Sequence, residues 1–259
     1  MPVQMAIDAG AAEVVIVDIS GEPEQKMLTG SENVKLRYVR SSYLFNEGIK
    51  QTLTFDPELS KEYMHCGYLD TLKTFHMLDG YTYYFKKGEK YNAKDYEPLC
   101  RDMFEQIYSC MPFEKRLEKM SRQSVVDHLN KNMMDPFRTF SNVTLCCEEA
   151  ASMFGIDCRS EVYTMKKKKK KIIDALNQTV KKSEEEQGKT VMSRLTDTVP
   201  LLSMLEKEKL TSEIAYLLAK TDNEEALDSS RNELWIVGIA MPEIIASAVF
   251  CAAALRALN

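Results

Sequence analysis

Apolar residues recur along this chain with two different periods, and the change of period divides it. Near the start, Val14-Val15-Ile16-Val17 is a run of β-branched residues without polar alternation, closed by Asp18. Such a run predicts a strand covered on both faces, as in the parallel sheet of an α/β layer structure. A short helix from Pro2 and a turn at Gly10 precede it. Val34-Lys35-Leu36-Arg37-Tyr38-Val39 instead alternates apolar and basic residues. That pattern predicts a strand with one exposed face, at a sheet edge. Between the two, Ser20 to Asn33 holds the turn formers Gly21, Pro23, Gly30 and Asn33 and reads as a loop. The buried-strand pattern demands neighbours on each side, and only one further strand is legible downstream. The expectation is a domain that the chain enters in its middle.

Beyond a connector at Ser41 to Thr54, the period becomes helical. Phe55-Asp56-Pro57-Glu58 opens a helix, with Asp56 placed to cap free N–H groups and Pro57 suited to the first helical position. Leu59, Tyr63, Cys66, Leu69, Leu72 and Phe75 follow at steps of three and four and carry the helix to about Met77. Gly67 within it implies a close helix contact. Gly80-Tyr81-Thr82-Tyr83-Tyr84-Phe85-Lys86-Lys87-Gly88 is aromatic and bounded by glycines. It reads as a short strand or an extended linker at a domain boundary, its rings packing the seam between domains, stacking on bases or sitting at a lipid interface.

From Asn92 onward the pattern is helical throughout. Leu99, Met103, Phe104, Ile107, Tyr108 and Met111 form an apolar stripe ending at Pro112. Further stretches run from Phe137 to Phe154, broken by Gly155, then Ser160 to Lys182, Val199 to Lys220 and Asn232 to Leu258. No repeat period emerges, so a small irregular bundle is expected rather than a solenoid. Leu234 to Leu258 is the most apolar stretch, almost long enough to span a membrane. Pro242-Glu243 interrupts it, and a Glu at depth in lipid is costly. The expectation is a turn from Gly238 to Pro242, then a buried C-terminal helix, with Trp235 anchoring the bundle.

Composition narrows the chemistry. The 259 residues are 44% hydrophobic and 28% charged, ordinary for a globular chain. A net charge of −5 gives no reason to expect nucleic acid. Seven Cys without zinc-type or Cys-x-x-Cys spacing point to reduced thiols and a cytoplasmic setting. Adjacent Cys146 and Cys147 read as small buried hydrophobes. His65 and His76 fall on one face of the predicted helix but about three turns apart, too far to share a metal ion; His128 stands elsewhere. Lys166 to Lys171 is an uninterrupted basic run. It reads as a solvated helix face with Glu184-Glu185-Glu186 as countercharge, as a patch for anionic phospholipid headgroups, or, last, as a nucleic-acid contact.

Two blocks carry a family resemblance. In the first, Pro2-Val3, Gly10-Ala11 and Val17-Asp18-Ile19 resemble the segment that follows the catalytic aspartate of patatin-like phospholipases. In the second, Leu53-Thr54-Phe55-Asp56-Pro57 and Gly67-Tyr68-Leu69-Asp70-Thr71-Leu72-Lys73 resemble a later turn and helix of the same family. Together they cover about the first third of the chain. The resemblance implies the downstream part of a lipid acyl hydrolase that works through a serine–aspartate dyad. The Gly-x-Ser-x-Gly elbow and the Gly-rich oxyanion loop are absent from this sequence. Asp8-Ala9-Gly10 falls in the helix after the catalytic turn, so the family aspartate would lie before Met1. No catalytic, cofactor-binding or metal-binding residue is carried over.

The expected architecture is an α/β remnant, the end of a three-layer patatin-like sheet, followed by a mainly α-helical domain. Its divisions are 1–80, a linker at 81–94, and 95–259. The expected function is the C-terminal portion of a patatin-like phospholipase, inactive alone, with lipid or phospholipid the substrate of the intact family. A peripheral membrane contact through Lys166 to Lys171 accompanies it. The alternative is a non-catalytic helical interaction module with a vestigial α/β piece.

Overall fold

A computed structural model describes residues 2–18, 28–40, 56–87, 96–108, 115–131, 142–157, 161–185, 207–220 and 224–257. It is mostly helical, with small strand pieces, and it divides into two compact units, Met1–Lys87 and Gly88–Asn259. The connector at 41–54, the segment 88–95, Pro112 and the stretches 137–141 and 199–206 lie outside the described residues.

The first unit begins with helix α1 (Pro2–Asp8) and strand β1 (Glu13–Asp18). β1 pairs in parallel with β2 (Lys35–Arg40), in register from Glu13↔Lys35 to Asp18↔Arg40. The parallel pairing is the one that the buried-strand pattern implies. Cover on both faces is not found: Val15 is 48% and Val17 70% exposed. The physical reason is placement. Helix α2 (Pro57–Thr74) packs on β2, where Thr74 Oγ1 donates to the carbonyl of Tyr38 at 3.1 Å. Among the described residues no helix covers the same side of β1. The basic positions of β2 have a use beyond solvation, since Arg37 pairs with Glu13 and Arg40 with Asp18, the latter at 2.9 Å.

α2 starts as its sequence dictates. Asp56 accepts hydrogen bonds from the N–H groups of Glu58 (2.9 Å) and Leu59 (3.4 Å), and Pro57 takes the first turn. The close contact expected at Gly67 is absent, because Gly67 is exposed and a Cβ there would meet nothing within 4 Å. The helix ends at Thr74, so His76 lies beyond it, with φ at 57°. His76 N–H donates to the Lys73 carbonyl and Met77 N–H to that of Leu72, both at 2.9 Å. This pair of bonds terminates a helix through one left-handed residue, a place usually held by glycine. A two-residue antiparallel pair, β3 (Leu78–Asp79) with β4 (Phe85–Lys86), follows.

The second unit is a helical bundle: α3 (Glu97–Tyr108), α4 (Lys115–Lys131), α5 (Asn142–Met153), α6 (Met165–Glu185), α7 (Lys207–Ala219), α8 (Glu224–Ser229), α9 (Arg231–Ala240) and α10 (Pro242–Arg256). α10 is its axis. Every residue from Ile244 to Ala254 is buried, and the helix packs against α3, α4, α5, α6, α7 and α9. An apolar character all round, rather than on one stripe, is what a central helix needs. Among the described residues no helix is long and apolar enough to cross a membrane. The expected turn at Gly238 to Pro242 is shorter than read: α9 continues through Gly238 to Ala240, and only Met241 separates it from α10. Trp235 anchors the bundle as expected, buried and donating from Nε1 to the Ile107 carbonyl at 3.0 Å. Arg256 donates to the carbonyls of Leu218 (2.9 Å) and Ala219 (3.3 Å), closing the C-terminus of α7 with the charge that a helix end prefers. α4 was not marked by an apolar stripe because its apolar residues are sparse: Val125 and Leu129 are buried, whereas Leu117 and Met120 face outward.

Candidate functional site

In the first unit, buried polar chemistry gathers inside the segment Gly67-Tyr68-Leu69-Asp70-Thr71-Leu72-Lys73. Lys73 and Asp70 are both buried, and Lys73 Nζ stands 3.4 Å from Asp70 Oδ1. The ammonium also donates to the Tyr81 carbonyl at 2.5 Å and sits 4.4 Å from the centre of the Tyr84 ring. Tyr84 closes the group by donating from its hydroxyl to Asp70 Oδ1 at 3.1 Å. The aromatic segment thus supplies a ring to α2 within its own unit. Each charge is met by the other and shielded from water, the condition under which a buried pair is tolerated. The group holds the β3–β4 hairpin on α2.

The second unit has its own polar point in the core. Tyr108 Oη and Ser121 Oγ are 3.0 Å apart. Gly238 of α9 lies against both: a Cβ there would come 2.1 Å from Ser121 Oγ and 2.9 Å from Tyr108 Oη. Burial pushes the Tyr108 phenol up to about 12, against the smaller lowering effect of its bond to Ser121. The phenol therefore keeps its proton at neutral pH and cannot serve Ser121 as a base. The serine is a spacer between helices.

The described cysteines, Cys66, Cys100, Cys146, Cys147 and Cys251, are all buried and outside any disulfide; Cys110 and Cys158 lie outside the described residues. Burial pushes Cys100 up to about 12, and it raises Cys146, Cys147 and Cys251 as well. A reactive thiol needs the opposite shift. His65 is exposed on α2, His76 is exposed beyond it, and His128 Nε2 meets Glu149 Oε1 at 3.1 Å between α4 and α5. The three are not brought together, and among the described residues no group of His, Cys, Asp and Glu is arranged to hold a metal ion.

The basic run lies in the first turns of α6, and it is not uniformly solvated. Met165, Lys168, Ile172 and Leu176 form the buried stripe of the helix. Lys168 is turned inward, with its ammonium 3.9 Å from the centre of the Tyr163 ring and 3.4 Å from the Asp157 carbonyl. Tyr163 is buried beneath it, and Lys171 stands 4.9 Å from the same ring. The countercharge is Glu161, which accepts from Lys167 at 2.5 Å and lies 3.8 Å from Lys171. Its hydrogen bond to Lys167 holds the Glu161 carboxyl below its usual range. The side chains of Glu184 to Glu186 lie outside the described residues.

Sequence reasoning passed over Asp70, Lys73, Lys168 and Tyr163 as chemistry. For Asp70, Lys73 and Lys168 the signal was present as a charged residue in phase with an apolar stripe; Tyr163, outside any helix, carried none. Asp70 and Lys73 stand four and seven positions after Cys66, and Lys168 three after Met165. With this geometry in hand, no protein family, no curated protein and no solved structure matches the chain.

Proposed function

We propose that this chain is the downstream, non-catalytic portion of a patatin-like lipid acyl hydrolase, its first unit supplying sheet and helix support to a nucleophile-bearing lobe. The observation that carries this reading is the six-residue parallel register of β1 and β2, with the apolar side chains of Val15 and Val17 left exposed. Parallel strands belong inside covered sheets, and a bare valine face on β1 calls for a covering helix. The order of elements supports the same reading: a short helix, a Gly10 turn, a parallel pair, then the Asp56-capped helix with its Asp70–Lys73 pair. In the intact enzyme, serine attack on the ester would be stabilised by backbone N–H groups at the oxyanion. The Gly-x-Ser-x-Gly elbow and the Gly-rich loop that would supply them do not occur in this sequence. Turnover of a short-chain nitrophenyl ester by this chain alone, above a heat-denatured control, contradicts the proposal; absence of turnover is the expected result.

A second reading, a helical interaction module, is favoured by the self-contained core that the second unit builds around α10. Reading the DNA upstream of Met1 separates the two. An in-frame Gly-x-Ser-x-Gly followed by Asp-Gly-Gly/Ala supports the hydrolase portion, and a promoter with a ribosome site supports the free-standing module.

A further inference from the structure

α6 buries one side and charges the other. Its inner stripe packs on α7 and α10, and Tyr216 of α7 donates to Asn177 Oδ1 at 2.6 Å, which fixes the roll of the helix. At 100° per residue the opposite side gathers Lys166, Lys167, Lys170, Lys171, Lys181 and Lys182 into one sector, a row about 24 Å long. All of them except half-buried Lys171 are exposed; by the same count Asp174, Glu184 and Glu185 of the helix fall in that sector too, which leaves it basic by six charges to three. The chain as a whole is acidic, with 34 basic and 39 acidic residues, so this sector runs against the overall charge. Two members of the run fall outside the sector: Lys168 is turned inward onto Tyr163, and half-buried Lys169 stands over the Tyr96 ring.

We infer that the outer face of α6 is a docking surface for anionic phospholipid bilayers, with Glu161 as an internal competitor for two of its lysines. The shape favours a flat surface. The lysines share one outer sector of a single helix, so headgroups of a bilayer laid along it meet several ammoniums at once within the Debye length. Single-stranded nucleic acid is bound through exposed rings that stack on bases. The rings beside this row, Tyr163 and Tyr96, are both buried, and lysines stand over them, Lys169 at 5.3 Å from the Tyr96 centre. The lipid reading above guides only the choice of probe. The inference itself rests on electrostatics and needs no ester chemistry.

Glu161 sharpens the test. Its carboxylate holds Lys167 and approaches Lys171, so headgroup phosphates must compete with it. The experiment is co-sedimentation of the full chain with vesicles of phosphatidylcholine, with or without phosphatidylserine, at low and high salt. Binding to the phosphatidylserine vesicles alone is expected, with loss of about tenfold or more in high salt. Lys166→Gln/Lys170→Gln/Lys181→Gln/Lys182→Gln weakens binding by a similar factor without lowering Tm, because the outer face makes no part of the core. Glu161→Gln tightens it. Equal binding to both vesicles, no binding to either, indifference to the fourfold variant, or tighter binding to single-stranded DNA overturns the inference. None of these outcomes depends on the ester turnover that tests the hydrolase reading, so the two fail separately.

Discussion

Ser121 Oγ lies 2.1 Å from where a Cβ on residue 238 would stand, so α9 approaches α4 as closely as it does only because position 238 is glycine. Gly238→Ala forces that contact apart and disturbs the Tyr108–Ser121 hydrogen bond with it. Overpacking of this kind costs roughly 1–3 kcal/mol. Denaturant unfolding followed by Trp235 fluorescence reads the loss. Pairing Gly238→Ala with Ser121→Ala recovers part of it, since the hydroxyl is the nearest obstacle.

The Asp70–Lys73 pair makes a sharper prediction for the first unit. Removing one partner leaves the other charge buried, so Asp70→Ala or Lys73→Ala destabilises by about 3–5 kcal/mol. Replacing both by apolar residues of similar volume, Asp70→Leu with Lys73→Met, costs much less than the sum of the single changes. Limited proteolysis within residues 56–87 follows the effect even where the second unit stays folded.

His76 occupies a left-handed position at the end of α2, with φ at 57°. Gly155 does the same service after α5 with φ at 61°, where Ile156 N–H reaches the Ala151 carbonyl at 2.9 Å. Glycine has no Cβ to strain there. His76→Gly is expected to stabilise by roughly 0.5–1 kcal/mol and Gly155→Ala to destabilise by about 1 kcal/mol or more. Paired thermal melts of the two variants show opposite shifts.

The buried thiols and Tyr108 fix the response to alkali. Cys100 is raised from 9.0 to about 12 and Tyr108 from 10.0 to about 12, in both cases chiefly by burial. A folded-state pKa above the unfolded value means that the native chain keeps protons the unfolded chain has lost. Stability is therefore at its full value below pH 9 and falls as pH rises toward 12. The slope is about 1.4 kcal/mol per pH unit for each such group inside its window. Urea midpoints between pH 8 and 11 check the sign, and a rise in stability over that range contradicts it.

Much of the fold was legible where a local rule agreed with the tertiary demand. Asp56 and Pro57 mark the start of α2 because capping is a matter of four consecutive residues. The apolar run after Pro242 marks a central helix because a helix buried at eleven consecutive residues leaves little room for polarity. The parallel pairing of β1 was legible for the same reason, in its unbroken β-branched run. Cover over Val15 and Val17 was not, because it depends on where α2 settles. The role of Lys168 escaped for a related reason. Six identical side chains in a row carry no mark of which one turns inward, and that is decided by the stripe of Met165, Ile172 and Leu176 across the helix.

The central claim is that β1 presents a sheet face and edge made for a catalytic lobe. Its most direct test is hydrogen exchange of the Glu13–Asp18 amides, in the chain alone and after addition of a separately produced polypeptide carrying a patatin-like Gly-x-Ser-x-Gly and Asp-Gly-Gly/Ala region. The account predicts that the amides of β1 that do not bond to β2 exchange quickly in the chain alone and become protected in the mixture, together with new ester turnover. Protection already complete in the chain alone, or unchanged on mixing with a lobe shown to be folded, contradicts it.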